Sequence, residues 1–273
     1  MPRFDEIGYW SELKLEIVQQ YAAAYSTILT AQPSLRHVYI DAFAGAGMHV
    51  RKSGGEMVPG SPLNALNVIP PFREYWFIEL SQDKIDILRE EVGDRADVHL
   101  RQGDCNEILV AEIFPLLRYK NFVRALCLVD PYGLHLDWKV TETAGQLRTI
   151  EIFLNFPVMD MNRNVLWRNP EGVDPKDIER MTRYWGDESW RSLAYSRDGN
   201  FFGWQERTDI ETIVEGFRNR LIRIAGFRYV PKPIPMRNNE GAIVYYLFFA
   251  SPNATANKIV KFIFDKYRDF GRR

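Results

Sequence analysis

The stretch Tyr39-Ile40-Asp41-Ala42-Phe43-Ala44-Gly45-Ala46-Gly47 decides how the chain is read. An apolar, β-branched run beginning at His37 stops at an acid and gives way to small residues, the pattern of a buried strand that ends in a close turn. Glycine has no Cβ and tolerates positive φ, so such a turn lets the backbone approach a ligand. A dinucleotide fingerprint needs a third glycine three residues beyond Gly47 and a helix opening there. Val50 stands at that place and 51–59 reads as loop, so nicotinamide binding is disfavoured.

Working outward, similar runs recur at Tyr75–Glu79, Val98–Arg101, Ala125–Asp130, Ile150–Asn155, Arg228–Pro231 and Ala242–Phe249. Helical periodicity separates them at Ser11–Leu29, Pro62–Val68, Asp83–Glu91, Glu107–Leu116, Lys139–Gln146, Ile210–Ala225 and Ala254–Arg268. Strands alternating with helices predict an α/β fold with a seven-stranded, mainly parallel sheet and helices on both faces. Pro231, Pro233, Pro235 and then Asn238, Asn239 and Gly241 separate the last two strands, which reads as a connection between antiparallel neighbours at a sheet edge.

Length and composition bound the function. The 273 residues, 46% hydrophobic and 26% charged, fit one folded domain. No run of eighteen apolar residues occurs and the first residues do not form a charged-then-apolar leader, so the expectation is a cytoplasmic chain without a membrane partner. Cys105 and Cys127 are too few for a zinc quartet and stand in apolar contexts, which disfavours a metal. The net charge of −1 combines an acidic first half with a basic second half.

Three further acids follow predicted strands on the same sheet edge as Asp41: Glu79, Asp104 and Asp130. An acid ending the second strand can accept from both ribose hydroxyls, and Asp104 from an adenine amino group. Together they outline an adenosyl ligand, with Asp41 near a cationic end. Val129-Asp130-Pro131-Tyr132-Gly133 brings a carboxylate, a main-chain carbonyl and an aromatic ring to the same edge. Asp130 and the Pro131 carbonyl can accept from an exocyclic NH2 while Tyr132 stacks on its ring. Asn155 and Phe156, ending the fifth strand, are candidate walls of that acceptor site. Lys14, near Trp10, is a candidate to reach over the same edge from the first helix.

The ordering of units, with an antiparallel last strand beside a parallel sheet, resembles the Rossmann-like class I S-adenosylmethionine-dependent methyltransferases. The chain is further similar to the three-Cys-motif partner family, through W-S-E-L-K-L from Trp10, Y-I-D-A-F-A-G-A-G from Tyr39, G-S-P-L from Gly60, G-D-C-N from Gly103, V-D-P-Y-G from Val129 and L-N-F-P from Leu154. This resemblance covers about residues 8–160. It implies S-adenosylmethionine held by Asp41, Phe43, Gly45, Gly47, Glu79, Asp104 and Cys105, and association with a protein bearing three cysteines. V-D-P-Y-G is also similar to the D-P-P-Y signature of amino methyltransferases that extract a base from its stack. Here Tyr132 and Gly133 replace the second proline and the tyrosine.

Residues 158–206 interrupt the strand pattern and read as an inserted helical cap within the single domain 1–273, with helical spacing at Pro175–Tyr184 and Glu188–Tyr195. Arg163, Trp167, Arg168, Arg180, Arg183 and Arg191, with Trp185, Trp190 and Trp204, are its candidate contacts to a nucleic acid. The leading expectation is methyl transfer to an amine of a nucleic-acid base, with Asp130, Pro131 and Tyr132 at the reacting end. A peptide or protein methyltransferase and a non-catalytic cofactor-binding partner remain as alternatives.

Overall fold

The computed structural model describes residues 4–196 and 206–268. In chain order the elements begin with β1 (Asp5–Ile7), α1 (Tyr9–Thr30), β2 (Arg36–Asp41), β3 (Met48–Arg51), β4 (Met57–Pro59), α2 (Ser61–Leu66), β5 (Glu74–Glu79), α3 (Gln82–Val92), β6 (Val98–Gln102), α4 (Cys105–Ile108) and β7 (Val123–Val129). They continue with α5 (Trp138–Leu147), β8 (Ile150–Phe156), α6 (Val158–Asn164), α7 (Pro175–Trp185), α8 (Trp190–Ala194), β9 (Tyr195–Ser196), β10 (Glu206–Arg207), α9 (Ile210–Arg223), β11 (Ile234–Arg237), β12 (Ile243–Ala250) and α10 (Ala254–Tyr267).

Seven strands form one mixed sheet in the order β11-β12-β8-β7-β2-β5-β6. The pairs β2·β5, β2·β7, β5·β6 and β7·β8 are parallel, whereas β12 runs antiparallel to both β8 and β11. The reversed strand therefore lies second from the edge, between β11 and the otherwise parallel strands. From β2 the chain winds outward through β5 and β6, then returns to β7 on the other side of β2. The gap beyond β2 and β7 is the point where an open α/β sheet receives its ligand.

Alternation along the strands builds two cores. Val38, Ile40, Ile78, Cys127, Val129, Ile152 and Leu154 face one layer, which includes α5, α7 and α9. Tyr39, Phe77, Leu126, Leu128, Phe153 and Phe249 face the other, where α1, α3 and α10 pack. Helix α1 reaches this layer with Leu13, Ile17, Val18, Tyr21, Tyr25 and Leu29, whose spacing keeps one face on the sheet.

Three local expectations are corrected. The sixth strand is not 228–231: it is β11, six residues later, with Ile234 and Met236 buried and Pro235 within it. An edge strand accommodates proline because its outer N–H needs no ladder partner, so the proline cluster belongs to the strand as well as to the loop before it. Residues 51–59, expected as loop, belong to the β3–β4 hairpin, to which β1 adds as a parallel third strand. The continuous helix expected at 107–116 is instead the short α4, a π turn at Leu109–Ile113 and a 3-10 turn at Phe114–Leu117, where Pro115 cannot donate the helical hydrogen bond.

The helical segment after β8 does not stand off from the sheet. Met181, Tyr184, Trp185 and Trp190 are buried in the same core as the strands, against Phe217 and Trp138. Helix α7 starts at Pro175 behind the Asp174 cap, which accepts from the Lys176 amide at 2.8 Å. Its Tyr184 hydroxyl donates to the Asn155 carbonyl at 2.7 Å, tying the segment to the end of β8. Trp204 lies outside the described residues.

Candidate functional site

The glycine turn is held from both neighbouring strands. The Ala42 amide donates to Leu128 and the Ala44 amide to Ile78, at 3.0 and 2.8 Å, so the backbone after β2 continues the pairing on each side. Gly45 and Gly47 take φ of +64° and +81°, the left-handed region that the glycines anticipate. Among the described residues, no atom lies within 4 Å of the position a Cβ on Gly45 would occupy, leaving that face of the turn open. Gly60 has no such freedom, because its Cβ would sit 2.9 Å from the Gly47 oxygen.

Glu79, at the end of β5, accepts from the Gly45 amide at 2.9 Å through one carboxylate oxygen and from the Ser81 amide at 2.8 Å through the other. It clamps the glycine turn to the second strand while each oxygen keeps a lone pair for a hydroxyl. Asp104 caps α4, its Oδ1 accepting from the Asn106 amide and the Asn106 side chain at 2.8 and 2.9 Å. Cys105 is buried in the core, which pushes its thiol well above the ordinary range. Its side chain therefore belongs to the packing behind the site.

Asp41 is fully buried. Burial pushes its carboxyl up to about 7, the Ser61 hydroxyl and the Phe43 amide draw it down, and Asp130 adds a smaller upward push that Lys14 opposes. The Phe43 amide donates to its Oδ1 at 3.2 Å, and Oδ2 has no hydrogen-bond partner among the described residues. Phe43 itself is half-buried, packed against the core beneath the turn.

Asp130 stands just beyond β7, across the switch point from Asp41. One carboxylate oxygen is ion-paired with Lys14 of α1 and the other accepts from the Asn155 side chain at the end of β8. Lys14 is buried beside the Tyr245 ring, 5.8 Å from its centroid. Pro131 is buried, whereas Tyr132 is 82% exposed, so its ring is presented to solvent. Asn155 joins this cluster, and its Oδ1 is buried with no hydrogen-bond partner among the described residues. Phe156, expected in the acceptor wall, is completely buried among Tyr184, Phe217 and Phe248 and is a core residue.

The expected arginine contacts divide. Arg180 is paired with Asp160 and Asp177, Arg183 with Asp137 and Arg191 with Glu188. Arg163 and Arg168 are exposed and make no ion pair among the described residues. Trp167, 43% exposed, donates its indole N–H to the Arg163 carbonyl at 2.7 Å.

Several site residues carry no sequence signal of their own. Asp160 reaches the V-D-P-Y-G turn from α6, accepting from the Leu134 amide at 3.0 Å. Asn106 donates to the His135 carbonyl at 3.1 Å and accepts from the Asp137 amide at 2.8 Å, linking the end of β6 to the same loop. His49 of β3 faces the Gly60 turn. Burial pushes its imidazole below the ordinary value, and the charge of Lys14 adds to this. A separate cavity of about 520 Å³ lies between α1, β4 and α10, lined by Glu12, Glu16, Arg51 and Tyr267 among others. None of the glycine-turn or Asp130-turn residues lines it.

Among the described residues, no group of three His, Cys, Asp or Glu side chains is placed to hold a metal ion, and no helix is long and apolar enough to cross a membrane.

No family model matches the chain, and no curated protein matches it. A crystal structure of a Legionella pneumophila protein, LPL1258, superposes with a TM-score of 0.56 at 13% identity, covering 94% of this chain and 92% of that one. At this identity the likeness shows a shared fold. More distant superpositions include a SAM-dependent methyltransferase from Anabaena variabilis, with a TM-score of 0.36, 12% identity and coverage of 80% and 76%. Another is the bifunctional kinase-methyltransferase WbdD, with a TM-score of 0.44, 13% identity and coverage of 92% and 44%. These two superpositions are too loose to bear on function.

Proposed function

We propose that this chain is an S-adenosylmethionine-dependent methyltransferase acting on an amine of a nucleic-acid base. The observation that carries the reading is Asp130, a carboxylate held by Lys14 and Asn155 at the sheet's switch point, beside an open glycine turn and an exposed Tyr132. The residues present fit the cofactor: among the described residues Gly45 leaves its turn open and Asp41 Oδ2 is a buried acceptor without a partner, and Glu79 and Asp104 stand at successive strand ends.

In this reading Gly45, Gly47 and Phe43 shape the backbone around the cofactor, Glu79 accepts from ribose hydroxyls, Asp104 accepts from the adenine amino group, and Asp41 faces the cationic end. The cofactor supplies an electrophilic methyl group. Asp130 and the Pro131 carbonyl accept from the acceptor's NH2 and orient its lone pair, and the Tyr132 ring stacks on the base. Lys14 and Asn155 fix the carboxylate so that its free lone pairs keep one direction. Arg163, Arg168 and Trp167 supply charge and a second aromatic surface. The similarity to the three-Cys-motif partner family adds a partner protein bearing three cysteines to this proposal.

The test has two parts. Calorimetry with S-adenosylhomocysteine asks whether the cofactor site exists. Tritiated methyl from S-adenosylmethionine, followed into RNA, DNA and protein fractions of a cell lysate, asks for the acceptor. Label in RNA or DNA supports the proposal, label in protein alone replaces the acceptor class, and cofactor binding without label in any fraction identifies a non-catalytic partner subunit.

A further inference from the structure

Arg180 and Asp160 form a network whose geometry serves the Asp130 turn rather than a phosphate. Asp160 Oδ2 accepts from the Leu134 amide at 3.0 Å and from Arg180 at 2.9 Å, while its Oδ1 accepts from the Asn164 side chain at 2.5 Å. The other terminal nitrogen of Arg180 donates to Asp177 at 2.7 Å, which fixes the guanidinium to α7. Both terminal nitrogens of Arg180 are therefore committed to carboxylates.

The ends of the turn are anchored, by Lys14 and Asn155 on Asp130 and by Asn106 on His135 and Asp137, and Pro131 and Leu134 are buried; Asp160 reaches the backbone between them, at Gly133 and Leu134. Tyr132 is 82% exposed, so its own packing does not set the direction of the ring. Gly133 has a φ of +67°, and a Cβ there would lie 2.6 Å from Asp160 Oδ2. The carboxylate thus lies directly against the backbone of the turn, and only glycine admits this approach. A hydrogen bond from an amide to an ionised carboxylate is charge-assisted and stronger than one between neutral groups. An acid that merely favoured the first turn of α6 through the helix dipole would have no reason to reach the Leu134 amide, 26 residues away in sequence.

We propose that Asp160 and Arg180 are positioning residues for the Asp130–Leu134 turn: they lock its backbone so that the Pro131 carbonyl and the Tyr132 ring are aimed at the acceptor. This rests on reading that turn as the acceptor site. It assigns the segment after β8 a role in setting the geometry of transfer, in addition to any contact made by Arg163, Trp167 and Arg168.

Asp160→Ala, Asp160→Asn and Arg180→Met are compared with the parent, with Lys176→Met on the exposed side of α7 as the control. Three quantities are read: deuterium uptake of peptides covering 129–136, affinity for S-adenosylhomocysteine, and kcat and KM for tritiated methyl transfer to total cellular RNA. Asp160→Ala is expected to speed exchange in 131–135 at least tenfold, to leave the central strands and the cofactor affinity unchanged, and to lower kcat by about a hundredfold, the penalty of an approximately 1 Å misplacement. Asp160→Asn keeps an oxygen for the Leu134 amide and is expected to fall between Asp160→Ala and the parent, while Lys176→Met behaves as the parent.

Parental exchange in 131–135 for both Asp160→Asn and Arg180→Met overturns the brace, and these two variants decide the matter if Asp160→Ala does not fold. If the exchange changes as expected while the parent labels neither RNA nor DNA, the brace stands and the acceptor assignment fails. If RNA is labelled and Asp160→Ala keeps the parental kcat, the turn is braced for stability alone and the positioning role is overturned.

Discussion

The Lys14 ammonium on α1 and the Asp130 carboxylate beyond β7 form an ion pair across 116 positions of sequence, and the lysine side chain is only 7% exposed. Removing one member of such a pair strands the other in a poorly solvated place. Asp130→Ala should therefore destabilise the protein by on the order of 3 kcal/mol as well as abolish turnover. The double change Lys14→Met with Asp130→Ala should recover most of that stability while remaining inactive. Urea unfolding of the three proteins checks this: a double variant no more stable than Asp130→Ala would mean that the pair does not set the energy of the site.

Glu79 gives a second expectation. Its two oxygens engage the Gly45 and Ser81 amides, so truncation loosens the glycine turn as well as removing an acceptor for ribose. Glu79→Ala should weaken S-adenosylhomocysteine binding by about 1.5–3 kcal/mol, roughly tenfold to 150-fold. Calorimetry at one ionic strength reads this directly, and parental affinity would remove Glu79 from the cofactor site.

Tyr132 separates stability from function. A ring this exposed contributes little to folding, so Tyr132→Ala should move the unfolding free energy by no more than about 0.5 kcal/mol. If the ring stacks on a base, the same change should weaken acceptor binding by about 1–3 kcal/mol, with Tyr132→Phe close to the parent. Thermal melting and KM for the labelled RNA pool measure the two effects. An unchanged KM in Tyr132→Ala would exclude stacking.

What the sequence made legible follows the range of each interaction. The apolar, β-branched runs of β2, β5, β7 and β8 and the helical period of α1 and α9 are local, and strand ends at Asp41, Glu79 and Asp130 are read from them. Short elements with mixed polarity could not: β3 and β4 gain their pairing from each other and from β1, and Pro235 reads as a breaker until its edge position is known. Pairings between distant residues were less accessible still. Asp160, Asn106 and the Asn155 side chain acquire their roles only when α6, α4 and β8 meet around one loop. Trp185 and Trp190 looked like a contact surface by composition, but α9 and the sheet cover them.

The last expectation concerns Glu151, at the start of β8 beneath α1. It is buried, and the Tyr21 hydroxyl donates to it from the helix. Burial raises its carboxyl from 4.5 to about 7, against the downward pull of the hydrogen bonds from Tyr21 and Ser251. The folded chain thus binds this proton more tightly than the unfolded chain, so the group's stabilising contribution is complete below pH 4.5 and is lost as pH rises through 7. The size of the loss is on the order of 3 kcal/mol. Glu151→Gln keeps an oxygen for the Tyr21 hydroxyl and carries no titrating proton. Relative to the parent it should gain stability from pH 5 to about pH 7 and level off by pH 8, while Asp41, whose carboxyl is raised in the same direction, titrates in both proteins and cancels from the difference. Unfolding free energies from urea titrations at four pH values in that range test the sign. A difference between parent and variant that does not change with pH would show that Glu151 titrates alike in the folded and unfolded chains.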